Sequence, residues 1–216
     1  IGRNDGTGSI SFNAGTPPTV FNTDTALRAP GAGGTVNVNQ EVQTSADNPL
    51  TLDATAITVA GDVSANGSGD LALTDSSGNG TASLSGAARE LDADTGTLVT
   101  SASMSIADGG NDLTLTGDEI NLGGGADSVS GSGNLLLRPK SPGRAVNLGD
   151  NTDAGATTLD LLDTDVGALA DGFASVTIGR SNGTAAVTVQ AATTFTDPLT
   201  LRSEGSGGTV VVSNNL

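Results

Sequence analysis

Two short acidic stretches carry the clearest candidate chemistry in this chain, Asp92-Ala-Asp94-Thr-Gly96 and Asp163-Thr-Asp165-Val-Gly167. Both have the D-x-D-x-G spacing in which two carboxylates and a backbone carbonyl can surround a hard cation, calcium above all. Each lacks the third acidic ligand of a full calcium loop. The competing reading is a pair of turn aspartates that cap the backbone. Composition cuts back other chemistry. With no His and no Cys, the usual nucleophile–base pairs and the preferred zinc ligands are gone. No Tyr or Trp is present to form a platform for sugar rings. The chain is therefore expected not to be an enzyme, with a carboxylate-based polysaccharide lyase or hydrolase as the last of three alternatives.

The bases are few. Arg138-Pro-Lys140-Ser-Pro-Gly-Arg144 is their one cluster and reads as a loop corner, or else as a patch that pairs with acidic coils of a neighbouring molecule. Arg3 and Arg180 each follow an Ile-Gly step and are expected to bridge to an acidic turn one coil away. A net charge of −16 argues against nucleic acid and anionic membrane as partners. It suits high ionic strength or divalent cations, which screen the self-repulsion. No apolar run reaches membrane-spanning length, so no membrane insertion is expected, and no signal peptide is visible.

The elements that must position these residues announce themselves by repetition. Ile1-Gly-Arg-Asn-Asp-Gly-Thr7 returns as Ile178-Gly-Arg-Ser-Asn-Gly-Thr184. Phe21, Leu27, Arg28, Gly34, Thr35, Val36 and Val38 return as Phe195, Leu201, Arg202, Gly208, Thr209, Val210 and Val212. A chain that enters its own second copy at 178 reads as one continuous segment, 1–216, excised from a longer tandem array.

Between the copies, aliphatic pairs recur with one residue between them, among them Val36/Val38, Leu50/Leu52, Ile57/Val59, Leu71/Leu73, Leu113/Leu115 and Val187/Val189. Each pair is a period-2 strand signature, with two side chains facing inward. Leu50, Leu71, Leu91, Leu113, Leu135, Leu159, Ile178 and Leu199 follow one another at 19 to 24 residues. The block from Leu50 to Leu73 also matches that from Leu113 to Leu137 at an offset of 63, slipping to 64, or three steps of 21. Coils of roughly 20–25 residues with three short strands are what a parallel β-helix requires.

The expected fold is all-β, a single-stranded parallel β-helix of about ten coils of ~21 residues, forming a rod of roughly 45–50 Å. Small residues such as Ala82 and Ala154 are expected to face inward where the tube is narrow. An antiparallel sandwich is the competing fold, disfavoured by the scarcity of two-residue hairpin turns. One segment departs from the pattern: residues 163–172 read as a short helical excursion capped at Asp163 or Thr164, stopped at Gly172, with Phe173 beneath. Ala87-Ala-Arg-Glu90 reads as a weaker one.

The motif Leu50-Thr-Leu-x4-Ile57-x-Val59, followed by Gly-Asp-Leu71-Ala-Leu73, resembles the filamentous-haemagglutinin-type repeats of large secreted bacterial surface proteins. The block from Leu169-Ala-Asp-Gly-Phe173 to Arg180, with Phe195-Thr-Asp-Pro198, is similar to a longer unit of giant repetitive bacterial exoproteins. The resemblance implies a right-handed coil, an extracellular or cell-surface location, and a role in adhesion or surface structure. Expected partners are neighbouring repeats or copies of the chain end to end, with a host or cell-surface glycan or protein beyond them. A stiff stalk or filament segment is the first functional reading, and a calcium- or carbohydrate-binding module the second. Gly123-Gly-Gly-Ala-Asp127 and Gly109-Gly-Asn-Asp112 resemble fragments of a calcium-binding nonapeptide repeat, without its full spacing.

Overall fold

Alternating aliphatics show which side of a strand is buried; the registers show what each strand pairs with. The computed structural model describes all residues except Ala14, Thr16, Asp150, Ala154 and Ala156. Every strand pairing among the described residues is parallel. The chain forms a parallel β-solenoid of about nine turns with almost no helix, against the ten expected.

Its strands stack on three faces. The first face orders Thr19–Phe21, Val42–Thr44, Val63–Ala65, Arg89–Asp92, Leu113–Thr116, Asn134–Arg138, Ser175–Arg180 and Leu199–Ser203. The second begins Thr25–Ala29, Leu50–Ala54, Leu71–Thr74, Thr97–Thr100, Glu119–Leu122. The third runs from Ser9–Phe12 through Thr35–Val38, Ala56–Val59, Thr81–Leu84 and Ser105–Asp108 to Val129–Gly131. Parallel pairing across whole coils forces each strand's inward residues onto those of the coil below. Leu50, Leu71, Leu98 and Ile120 thus form one buried ladder. Ala82 faces inward between Ile57 and Ile106, as expected; Ala154 lies outside the described residues.

The coils are less regular than their spacing suggests. Leu50 pairs with Leu71 after 21 residues, but Leu71 pairs with Leu98 after 27. Leu91, expected in line with Leu71, sits on the first face between Val63 and Leu115. The 63-residue match is therefore not three coils. Leu50 lies on the second face and Leu113 on the first; Ile57 lies on the third and Ile120 on the second. The longer echo shifts in the same sense. Gly2 bridges to Arg28 on the second face, whereas its counterpart Gly179 pairs with Arg202 on the first.

Among the described residues, the one break in stacking order comes after residue 138. The strand Ala145–Leu148 pairs with the later Thr158–Leu161 at an offset of only 13 residues, Val146 opposite Leu159. Thr158–Leu161 packs against Glu119–Leu122 on its other side, and Ala186–Val189 then continues beyond Ala145–Leu148. The chain has stepped forward one layer and come back to fill the layer it skipped. The second face gains a strand that the others lack.

The helical excursion follows at once, as one turn, Asp163–Gly167. Its cap differs from the expectation: the Asp165 carboxylate, not Asp163 or Thr164, accepts from the Leu162 N–H at 2.9 Å. Val129 donates to the Ala168 carbonyl at 2.8 Å, so the segment holds the third face where a strand would otherwise lie. Gly172 adopts φ +129°, and Phe173 is buried with its ring over Gly131. Ala87–Glu90 is not helical, since Arg89–Asp92 is a strand of the first face.

Candidate functional site

The solenoid brings Asp92 and Asp94 together, and a lysine with them. Lys140 Nζ lies 2.6 Å from Asp92 Oδ2 and 3.6 Å from Asp94 Oδ1. The remaining oxygens are engaged: Asp92 Oδ1 accepts from the Asp94 N–H at 2.8 Å, and Asp94 Oδ2 from the Gly67 N–H at 2.9 Å. The place between the two carboxylates is filled by an ammonium delivered from two coils further along. The basic turn thus pairs within its own molecule. Arg138 Nη2 reaches Glu90 at 2.7 Å and Arg144 Nη2 reaches Asp118 at 2.9 Å. Burial pushes Glu90 up, but its bonds from Thr116 and Arg138 outweigh that and hold it below the usual carboxylate range. Arg3 and Arg180 do not bridge to an acidic turn one coil away: Arg3 pairs with Asp5 in its own turn, and Arg180 donates to the carbonyls of Pro139 and Lys140.

Asp163 and Asp165 are held apart in role. Asp163 is exposed, while Asp165 is buried and also accepts from the Leu122 N–H at 2.7 Å. Its carboxylate clips the helix to the end of the Glu119–Leu122 strand. Burial is the main cause that raises its pKa; the two backbone donors oppose it. Beside this clip an open cavity of about 580 Å³ is lined by Leu122, Ala126, Leu162, Thr164 and Asp165 among others.

Among the described residues, one cluster of three carboxylates lies where the spacing of acids gave no sign of it. Glu119, Asp153 and Asp160 place carboxylate oxygens within 4.8 Å of one another at the junction created by the returning strand. They are 34 and 7 residues apart in sequence, and only the stepped-back order of the second face brings them together. Asp160 is 1% exposed and accepts from Asn147 Nδ2 at 3.0 Å. Burial first, then the charges of Asp153 and Asp160, push Glu119 up to about 7, against backbone donors at Ile120 and Asp160.

A pH dependence follows. The folded Glu119 holds its proton to about pH 7, whereas the unfolded chain releases it near 4.5. Its contribution to stability is complete below the lower value and is lost as pH rises towards the upper one. Unfolding between pH 5 and 8 should show a loss on the order of 1–3 kcal/mol from this group after solvent screening, and Glu119→Gln should flatten that slope. Chemical denaturation of both proteins across that range is the check; equal slopes would remove Glu119 as the cause.

Asp108 is a separate case. It points into the core between Leu84 and Gly131, and both carboxylate oxygens are buried without a hydrogen-bond partner. Burial, then the nearby Asp112 charge, raises its pKa, with Arg89 pulling the other way. No helix among the described residues is long and apolar enough to cross a membrane. No family model, no curated protein and no solved structure matches this chain.

Proposed function

We propose that the chain is a stalk or filament segment of an extracellular bacterial surface fibre or adhesin. One observation carries the reading: the layer built by residues 1–38 is rebuilt by residues 178–212 upon an unbroken core. Arg3 accepts from Gly6 at 3.1 Å and Arg180 from Gly183 at 3.2 Å. Gly31 donates to Gly6 at 2.8 Å and Gly205 to Gly183 at 2.7 Å. Between the two layers, Leu27 to Val187 belong to a single apolar cluster. A unit that repeats one of its own layers on a continuous apolar core splices into a longer rod without a joint. In such a stack each coil is covered by its neighbours, so stiffness and length are the product.

Concatenated copies test this. Chains of two and three copies should give scattering profiles of rods whose maximum dimension grows by a constant step per copy. A profile of flexibly linked beads would overturn the stalk reading, and antibody labelling restricted to permeabilised cells would overturn the extracellular one. Calcium held by Asp92 and Asp94 is the weaker reading, because the Lys140 ammonium already stands beside both carboxylates.

A further inference from the structure

The cavity beside the Asp165 clip opens where the chain passes from strand to helix. One wall is the turn that follows the Glu119–Leu122 strand, and the other is the one-turn helix Asp163–Gly167 with Leu162 before it. Its volume of about 580 Å³ falls within the range of roughly 300–1,000 Å³ found for small-molecule sites. Of the residues that line it, Leu122 and Asp165 are buried and form the floor, whereas Gly125, Ala126, Thr164 and Gly167 are exposed and form the mouth. Glycine keeps the space clear. A Cβ at Gly125 or at Gly167 would meet nothing within 4 Å.

The charge around this cavity has one sign. Asp165 Oδ1 accepts from the Leu122 N–H at 2.7 Å and Oδ2 from the Leu162 N–H at 2.9 Å. A carboxylate oxygen has two acceptor positions, so each of these keeps one for a further donor. The helix carries Asp163 in its first turn as well and has no base in its last turn. Asp153 adds a further negative charge that acts on Asp165. The basic turn of residues 138–144 spends its charges elsewhere, on Glu90, Asp92 and Asp118. An anion is therefore repelled. A bare divalent ion fares little better, because it takes six or more oxygen ligands and the side chains of Leu122, Leu162 and Ala126 supply none. The combination suits a cation that brings an apolar body with it.

We propose that this cavity binds a small organic cation, an ammonium group carried on an aliphatic or aromatic body. The ammonium donates to Asp165 in the field of Asp163, and the body lies against Leu122, Leu162 and Ala126 in place of water. Burial of the body supplies affinity, and the charge-assisted bond to the carboxylate supplies selection. The site goes beyond the stalk reading and does not depend on it.

Phenylbutylamine, cationic at neutral pH, is the probe, titrated into the full chain and followed by amide NMR shifts. Phenylbutanol has the same body without the charge and is the comparison. Saturable shifts are expected at Gly123, Gly125 and Gly167, with the amine bound about fivefold or more tightly than the alcohol. Gly167→Leu places a side chain in the open space and should abolish the shifts at Gly123 and Gly125 while the melting temperature stays level or rises. Asp165→Asn should erase most of the amine's advantage over the alcohol. Should that variant fail to fold, the Gly167→Leu result and the amine–alcohol comparison still decide the matter. Absence of saturable shifts with the amine, or shifts that survive Gly167→Leu, would overturn the site. Equal affinity for amine and alcohol would overturn the selection for a cation. None of these outcomes bears on whether concatenated copies form a straight rod, so the two readings fail separately.

Discussion

Leu115→Ala should destabilise the chain by about 3 kcal/mol, within the 2–5 kcal/mol usual for emptying a buried leucine site. Leu115 is fully buried at mid-solenoid, with Leu91 on one side and Leu137 on the other in the same ladder. Two features keep the cost from being relieved. Both neighbours are themselves pinned by backbone pairing at a fixed layer spacing of about 4.8 Å, so the walls cannot close on the void. No large aromatic lies within the ladder to swing into it, since the four Phe are at positions 12, 21, 173 and 195. Calorimetry should show the midpoint fall by on the order of 10 °C for a chain of this size. The outward Thr114→Ala, one residue away, should stay within about 0.5 kcal/mol. Comparable losses for the two would mean that the inward ladder is not what holds the coils together.

Gly133→Ala should be at least as damaging, although it adds a single methyl group. Gly133 is buried where two coils run closest: a Cβ there would lie 1.7 Å from the Asn111 carbonyl oxygen and 2.3 Å from its carbon. Those atoms are backbone and cannot rotate away. The coils cannot part either, because Asn134 donates to Asp112 Oδ1 at 2.9 Å and Ala174 to the Gly133 carbonyl at 2.9 Å. Relief requires lifting one coil off the other, and overpacking of this kind costs about 3 kcal/mol or more. Gly109→Ala is the matched control. Nothing lies within 4 Å of its added Cβ, so it should be neutral or slightly stabilising through the unfolded chain. Thermal or denaturant unfolding of the pair decides the point: if Gly133→Ala leaves stability unchanged, the coils are not packed this closely.

The fold was legible because its signals are local and repeated. Val36/Val38 and Leu113/Leu115 each state which side of a strand is buried, and the return of Ile-Gly-Arg at 178 states that the architecture recurs. The faces were not legible from spacing alone. All three use the same aliphatic-x-aliphatic word, so a leucine every 20-odd residues does not reveal whether the chain has gone round once or stopped a face short. Leu91 was misplaced for that reason, and 63 residues passed for three whole coils. Coil length is set by turns that can absorb several residues, hence 21 residues from Leu50 to Leu71 and 27 to Leu98.

Site chemistry was harder still. The D-x-D-x-G stretch at Asp92 is compact in sequence, yet the cation it meets, Lys140, comes from 48 residues on. Glu119 meets Asp153 and Asp160 only because one strand doubles back, a step that no local pattern encodes. Asp108 sits on an inward position where the alternation calls for an aliphatic. The alternation itself was the signal that could have found it, since its strand partner Leu84 occupies the matching place one coil away.

Because both internal echoes come back one face round and not directly overhead, a filament built from such units would climb like a spiral staircase. Any loop carried by the unit would look out in a new direction at each storey and regain its first bearing only after three. A ligand, an antibody or a neighbouring cell approaching from any side would then meet the same features at regular heights, and no flank of the filament would be blind.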